Sequence, residues 1–326
     1  MFRKPTFWLV VAVVVALALD LVYMVAHPFG IKIDVPAISL AAEEVTHVGP
    51  LKVTNTLIAS WVTMVVLLVV AFLGTRKMEL VPRGLQNALE FVIETLYNLV
   101  QGTVGAHAAL VFPTIATLFL FIIVSNWMGL LPGYLSLVVY KAVEGGHELE
   151  KVSLLRSANT DLNTTLALAI SSVVMSQVYG IMVVGFPRYF LRFFNIRRYI
   201  AFFKGLGGRG PRQGFGGLFM GIIDLFIGIL ELFDEFTKIM SFGFRLFGNI
   251  FAGEVLLGVM VFLLPFVASL PFLGLELFVG FIQAFVFAVL STAFIAQATA
   301  HHGDEAEAHA PAEHAAPQPQ AASSVS

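Results

Sequence analysis

One stretch of this chain decides what it can fold into. Over residues 216–264 no proline and no polar loop interrupts an apolar run of roughly 49 residues, about 73 Å long as a single helix. The hydrocarbon core of a bilayer is about 30 Å thick and takes about 20 apolar residues in a helix. The run is too long for one upright span, and it has no turn with which to make two. A strongly tilted or partly in-plane helix fits it, provided that protein neighbours cover its polar side chains. Five further apolar segments approach span length: 7–26, 57–73, 111–131, 162–186 and 272–300. They are continuous rather than short and alternating, which predicts an all-α polytopic membrane protein with about six embedded helices.

Composition agrees with that class. Charged residues make up 12% of the 326, about half the roughly 25% of a soluble domain. So few charges cannot cover a water-soluble monomer of this size. That excludes a cytosolic enzyme, a nucleic-acid binder with a basic face and a disordered chain. Cysteine is absent, which leaves no disulfide framework, thiolate metal site or cysteine nucleophile.

The lysines and arginines between spans set the orientation. Arg3, Lys4, Arg76, Lys77, Arg83, Arg188, Arg192, Arg197, Arg198, Lys204, Arg209 and Arg212 fall on one side. Only Lys32, Lys52, Lys141, Lys151 and Arg156 fall on the other. Six crossings then put both termini in the cytoplasm, and the long segment runs outward. Three regions follow. Residues 1–54 form a signal-anchor-like helix and an external segment, a cleaved signal peptide being the alternative. Residues 55–300 form the membrane domain. Residues 301–326, rich in Ala, Pro, Glu and His, read as a disordered cytoplasmic tail. Within 83–105, Glu90, Glu94 and Gln101 stand among apolar positions at helical spacing, which predicts an amphipathic cytoplasmic helix.

Ionisable groups inside a membrane cost at least about 2.5–3.5 kcal/mol each, so they are candidates for function. The long segment carries Asp224, Glu231, Asp234, Glu235, Lys238, Arg245 and Glu254. At about 100° per residue, 224, 231, 235, 238, 245 and 249 follow one stripe, with Ser241 near it and Glu254 opposite Arg245. Glu276 and Gln283, seven apart, share a face of the last helix. Plainer readings stand beside these. Asp234 and Glu235 fit a solvated face, and Lys238 can pair with either at i−4 or i−3. Asn249 and Gln283 fit interhelical hydrogen bonding. Glu254 and Glu276 fit inert neutral acids. Arg245 resists such a reading. An arginine stays charged at any accessible pH, and apolar residues surround this one. It must meet a carboxylate or water. Gly243, Gly248, Gly253 and Gly258 also recur around it and allow a helix to approach closely, although a period of five drifts round the helix.

On this orientation Glu231 lies on the cytoplasmic side of Arg245, and Glu254 and Glu276 lie on the outer side. A permanent cation between them repels protons and metal cations. Two offset half-channels suit that arrangement better than one open pore. The carrier that moves between them must be another subunit, because this chain has no second charged bundle.

Residues 241–254 read Ser-Phe-Gly-Phe-Arg-Leu-Phe-Gly-Asn-Ile-Phe-Ala-Gly-Glu. This resembles the signature of subunit a of F-type ATP synthases, the stator beside the rotating ring of c subunits. Ile229-Leu230-Glu231, Asp161-Leu162-Asn163-Thr164-Thr165 and Gln283-Ala284-Phe285-Val286-Phe287 agree with it, over about 55–300. The resemblance implies two long tilted helices packed as a hairpin against the c-ring, with Arg245 as the essential cation facing its carboxylates. It implies that Asn249, Glu254, Glu276 and Gln283 line an outer half-channel. Glu231, with Ser241 and Lys238, would belong to the cytoplasmic path, and Asp161 and Asn163 would support the site. The transported ion would be a proton, with sodium as the alternative. Partners would be the c-ring, peripheral-stalk b subunits, the remaining Fo and F1 subunits and the lipid of the plasma membrane, with no nucleic acid and no cofactor. No Gly-rich loop ending in Gly-Lys-Ser/Thr is present, so nucleotide chemistry would lie in the partners. Ala158 stands where the family often has proline, and residues 1–30 extend the usual pattern. Two other classes fit less well. A secondary transporter would show inverted repeats, and a membrane metalloenzyme would need embedded histidines or a His-Glu-x-x-His run.

Overall fold

The computed structural model describes residues 5–26, 39–131, 133–134, 137–142, 149–187, 189, 215–264 and 269–299. The basic residues from Arg188 to Arg212 and the tail from His301 lie outside them. Seven α-helices are described: α1 Pro5–Ala26, α2 Asn55–Thr75, α3 Leu85–Val104, α4 Ala108–Gly129, α5 Leu162–Val184, α6 Phe215–Leu263 and α7 Leu270–Thr299. Among the described residues five helices are long and apolar enough to cross a membrane, and α1 carries a shorter apolar stretch, Val10–Val22. The chain is an all-α polytopic membrane protein.

The overlong apolar run is one helix. α6 has 49 residues and α7 has 30, so both exceed the roughly 20 needed to cross hydrocarbon. α5 packs along α6 and α7, and α4 joins α7 to α3. Val100, Val111, Ile115, Ile122, Leu246, Phe287 and Ile295 are fully buried where these helices meet. Much of the rest of α6, from Phe226 to Phe236, exposes its large apolar side chains. In water that would be untenable, but a lipid or protein neighbour accepts it.

α3 has the expected amphipathic pattern. Leu96 and Val100 turn inward, Phe91 and Glu94 turn outward, and Tyr97 meets Phe112 of α4 edge-on at 5.2 Å between ring centroids. A three-residue 3-10 turn, Gly105–His107, separates it from α4.

Lipid gives helices no hydrophobic incentive to associate, so close packing and hydrogen bonds must hold them. Ser172 of α5 and Ser291 of α7 lie 2.7 Å apart, as do Thr114 of α4 and Tyr179 of α5. Asn126 of α4 does more. Its Nδ2 donates to the Gly280 carbonyl of α7 at 3.1 Å, and its Oδ1 accepts from Asn159 at 2.7 Å. Beside it, Trp127 Nε1 donates to the Leu277 carbonyl at 3.1 Å. Replacing Asn126 with alanine removes two buried bonds at once. Thermal unfolding of the purified assembly should show a loss of about 1–2 kcal/mol. An unchanged unfolding midpoint would mean that the bonds of Asn126 add nothing to the hold of α4 on α7.

Two antiparallel hairpins, absent from the sequence expectation, join helices at one end. β1 Glu44–Val48 pairs with β2 Leu51–Thr54, and β3 Val138–Ala142 pairs with β4 Leu149–Ser153. Their β-branched and aromatic residues (Val45, Thr46, Val53, Thr54, Val138, Val139, Tyr140) favour strands locally, but each run is too short to announce itself beside long apolar helices. The Glu43 carboxylate, just before β1, accepts from the Ser153 backbone of β4 at 3.3 Å and ties the hairpins together.

Candidate functional site

The polar side chains of α6 separate into three groups along the helix. Nearest its start, Lys238 Nζ lies 3.0 Å from Asp234 and 2.9 Å from Glu235, so both intrahelical pairs expected from i−4 and i−3 form. The same ammonium donates to Gln297 of α7 at 3.2 Å and lies 5.0 Å above the Phe294 ring. Lys238 is thus held at the seam between α6 and α7. Glu231, two turns earlier, is half-buried.

Arg245 occupies the middle group and does not enter the seam. Its neighbours Phe242 and Leu246 are buried, with the Phe242 ring 4.9 Å from Phe287 and 5.0 Å from Phe294 of α7. Arg245 itself lies on the adjacent exposed face. Its Nη2 approaches the Ser241 hydroxyl at 3.4 Å, a long contact. Among the described residues no carboxylate lies within ion-pairing distance of it. Ser241, Gly248 and Ala252 flank it on the same exposed strip, and a Cβ on Gly248 would meet nothing within 4 Å. The chain therefore presents a permanent cation on an exposed strip of an apolar helix, among small residues and beside the exposed ring of Phe244.

The third group lies beyond Arg245. Asn249 Nδ2 donates to Gln283 Oε1 at 2.7 Å, so these two residues do bridge α6 and α7. About two turns from Gln283 on α7, Glu276 is buried at 6% exposure. Its carboxylate lies against the bare backbone of Gly253: a Cβ there would stand 1.9–2.0 Å from all three carboxyl atoms. Gly243 makes the corresponding close approach to α5, where a Cβ would stand 2.6 Å from Leu166. The drift of the glycine spacing thus serves two different neighbours.

Glu254 turns away from this seam, as its position opposite Arg245 requires. It meets Arg156, which sequence reasoning had counted only as a loop cation. Arg156 Nε reaches the two carboxylate oxygens at 3.0 and 3.1 Å, and Nη2 reaches Oε2 at 3.0 Å. The guanidinium lies 5.8 Å from the Phe251 ring, and its Nη1 donates to the Ala41 carbonyl at 3.5 Å. The two partners lie 98 residues apart in the chain, so no spacing rule could have paired them. The available signal was a lone arginine near the first turn of a span.

Asp161 and Asn163 lie off the seam. Asp161 caps α5: its carboxylate accepts from the Asn163 backbone at 2.9 Å, the Asn163 amide at 3.2 Å and the Thr56 hydroxyl of α2 at 3.0 Å. They hold α5 to α2 and so position the helix on which α6 packs.

The arrangement offers two polar runs on either side of a cation. Beyond it, Asn249 and Gln283 share a hydrogen bond and Glu276 lies against Gly253. Among the described residues no acidic side chain reaches the exposed face of Arg245.

The family model described as ATP synthase A chain matches residues 57–296. The ATP synthase subunit a of Moorella thermoacetica is 29% identical over 253 residues, spanning 78% of this chain and 94% of that protein. The ATP synthase subunit a of Gloeobacter violaceus is 31% identical over 272 residues, spanning 83% of this chain and 94% of that protein.

Proposed function

The chain belongs to the ATP synthase A chain family, and from that premise we propose that it is the proton-translocating stator beside a ring of c subunits. It provides two offset half-channels to the ring carboxylates, and Arg245 separates them. The observation that supports this most is the exposed guanidinium of Arg245, with no carboxylate in pairing distance among the described residues.

Asn249, Gln283, Glu276 and Glu254 line the outer path; Glu231, Ser241 and Lys238 belong to the cytoplasmic path. A proton arriving from outside neutralises a ring carboxylate, which can then face lipid. Rotation brings another protonated carboxyl to the cytoplasmic path, where it releases its proton. Arg245 attracts the emptied carboxylate and keeps protons from crossing directly between the paths. The membrane potential supplies about 2.3 kcal/mol per charge per 100 mV. The chain makes no bond to phosphate; nucleotide chemistry belongs to the partner subunits, and the peripheral-stalk b subunits hold this stator still. The distribution of lysine and arginine supports a plasma-membrane orientation with both termini cytoplasmic.

ATP synthesis by the reconstituted complex under an imposed proton gradient tests the outer path. Glu276→Gln and Glu254→Gln should each slow synthesis by about tenfold or more. Wild-type rates in both would remove these acids from the path. A rate that depends on sodium at a fixed proton gradient would overturn the choice of ion.

A further inference from the structure

Two acids flank the outer end of the seam, and their surroundings differ. Glu276 is buried against the bare backbone of Gly253, and no arginine or lysine among the described residues pairs with it. Glu254 is gripped by the fork of Arg156, with three contacts of 3.0–3.1 Å between the two groups. The side chains of this pair are only 5% and 18% exposed. Arg156 is fixed in turn by the Phe251 face and the Ala41 carbonyl.

A guanidinium fork satisfies both oxygens of a carboxylate as long as both are free of protons. Protonating one oxygen breaks the fork and leaves a buried cation without its counterion. A group built this way is a poor place to load and unload a proton at every step. The same pair joins the outer half of α6 to the segment that leads into α5, and to the strand-forming segment near Ala41.

We propose that Arg156 is a positioning residue of the outer path: it holds Glu254 as a fixed anion, and proton exchange with the ring is left to Glu276. This rests on the stator function proposed above. It changes the meaning of Glu254, which lines the path as half of a structural ion pair and passes no proton itself. Loss of either partner is then harmful for one reason, the stranded charge of the other.

The test is ATP synthesis by the reconstituted complex, normalised to the amount of this chain assembled with the c subunits. Arg156→Gln should lower the rate by about fivefold or more, and Arg156→Lys, which keeps the charge but not the fork, should recover part of the loss. The deciding variant is the double one, Arg156→Gln with Glu254→Gln. With both charges gone nothing is stranded, and the double variant should run several-fold faster than Glu254→Gln alone. If it runs no faster, Glu254 carries protons and the inference fails. A wild-type rate for Arg156→Gln would also end it. If Arg156→Gln fails to assemble, the lysine and double variants still decide. Glu276→Gln in the same preparation keeps the two levels apart. Its retention of full rate would count against the outer path itself, whatever Arg156 does.

Discussion

Replacing Arg245 with alanine is expected to abolish proton-coupled ATP synthesis while the detached catalytic head still hydrolyses ATP at its normal rate. The size of the effect follows from what the guanidinium offsets. On the stator function proposed above, a ring carboxylate that has lost its proton passes the exposed face of α6, which carries Phe244, Gly248 and Ala252 around Arg245. An uncompensated charge in such surroundings costs about 2.5–3.5 kcal/mol at the least. As an added barrier that is roughly a hundredfold in rate. The alanine variant also removes the repulsion that keeps protons from running straight between the two paths, so any residual flux would no longer turn the ring. Synthesis should fall to background when the complex is reconstituted in vesicles. Normal coupled synthesis by that variant would refute the role assigned to Arg245. Lysine at 245 should rescue little, because its ammonium is a compact, strongly hydrated point charge rather than a flat, weakly hydrated fork.

Much of this site could be read from the order of residues, and the reason is energetic. In an apolar helix each charge is an exception, and an exception at fixed spacing places itself on a face. The intrahelical pairs of Lys238 with Asp234 and Glu235, and the shared face of Glu276 and Gln283, are local consequences of the helical period. The single long helix followed from the absence of any turn signal in 216–264. Partnerships across the fold were less legible: the sequence offers Asn249 and Gln283 as interhelical hydrogen-bonding groups but does not pair them, and it offers Arg156 no partner at all. That Asn249 would meet Gln283 depends on how α7 lies against α6, and that Glu254 would meet Arg156 depends on a loop folding back over α6. Asp161 shows the converse case. The motif that contains it is conspicuous in the sequence, yet its work here is to cap α5 and tie it to α2. The two hairpins went unseen because strands of four or five residues carry little periodic signal.

Seen from both helices, the most tightly specified contact in the outer group is the one between Gly253 and Glu276. Alanine at 253 is therefore the second substitution expected to have a large effect, and it should separate function from stability. Its Cβ would fall within 2.0 Å of the Glu276 carboxyl group, where two atoms cannot coexist. The obstructed group is the free end of a flexible side chain, so the backbones of α6 and α7 need not part. Rotating Glu276 out of the way costs about 0.5–1.5 kcal/mol in a less favoured rotamer. Assembly and thermal stability of the complex should change little. The carboxylate, however, leaves the position it holds against the Gly253 backbone, and proton transfer needs donor and acceptor within about 2.6–3.2 Å, directly or through one water. Synthesis should then fall by about tenfold or more. Shortening the acid in the same chain, Gly253→Ala with Glu276→Asp, draws the carboxylate back from the new methyl group and should restore part of the rate. A Gly253→Ala variant that assembles fully and synthesises ATP at the wild-type rate would show that the position of the Glu276 carboxylate is irrelevant to transport. One that fails to assemble would show instead that the helices, and not the side chain, had taken up the strain.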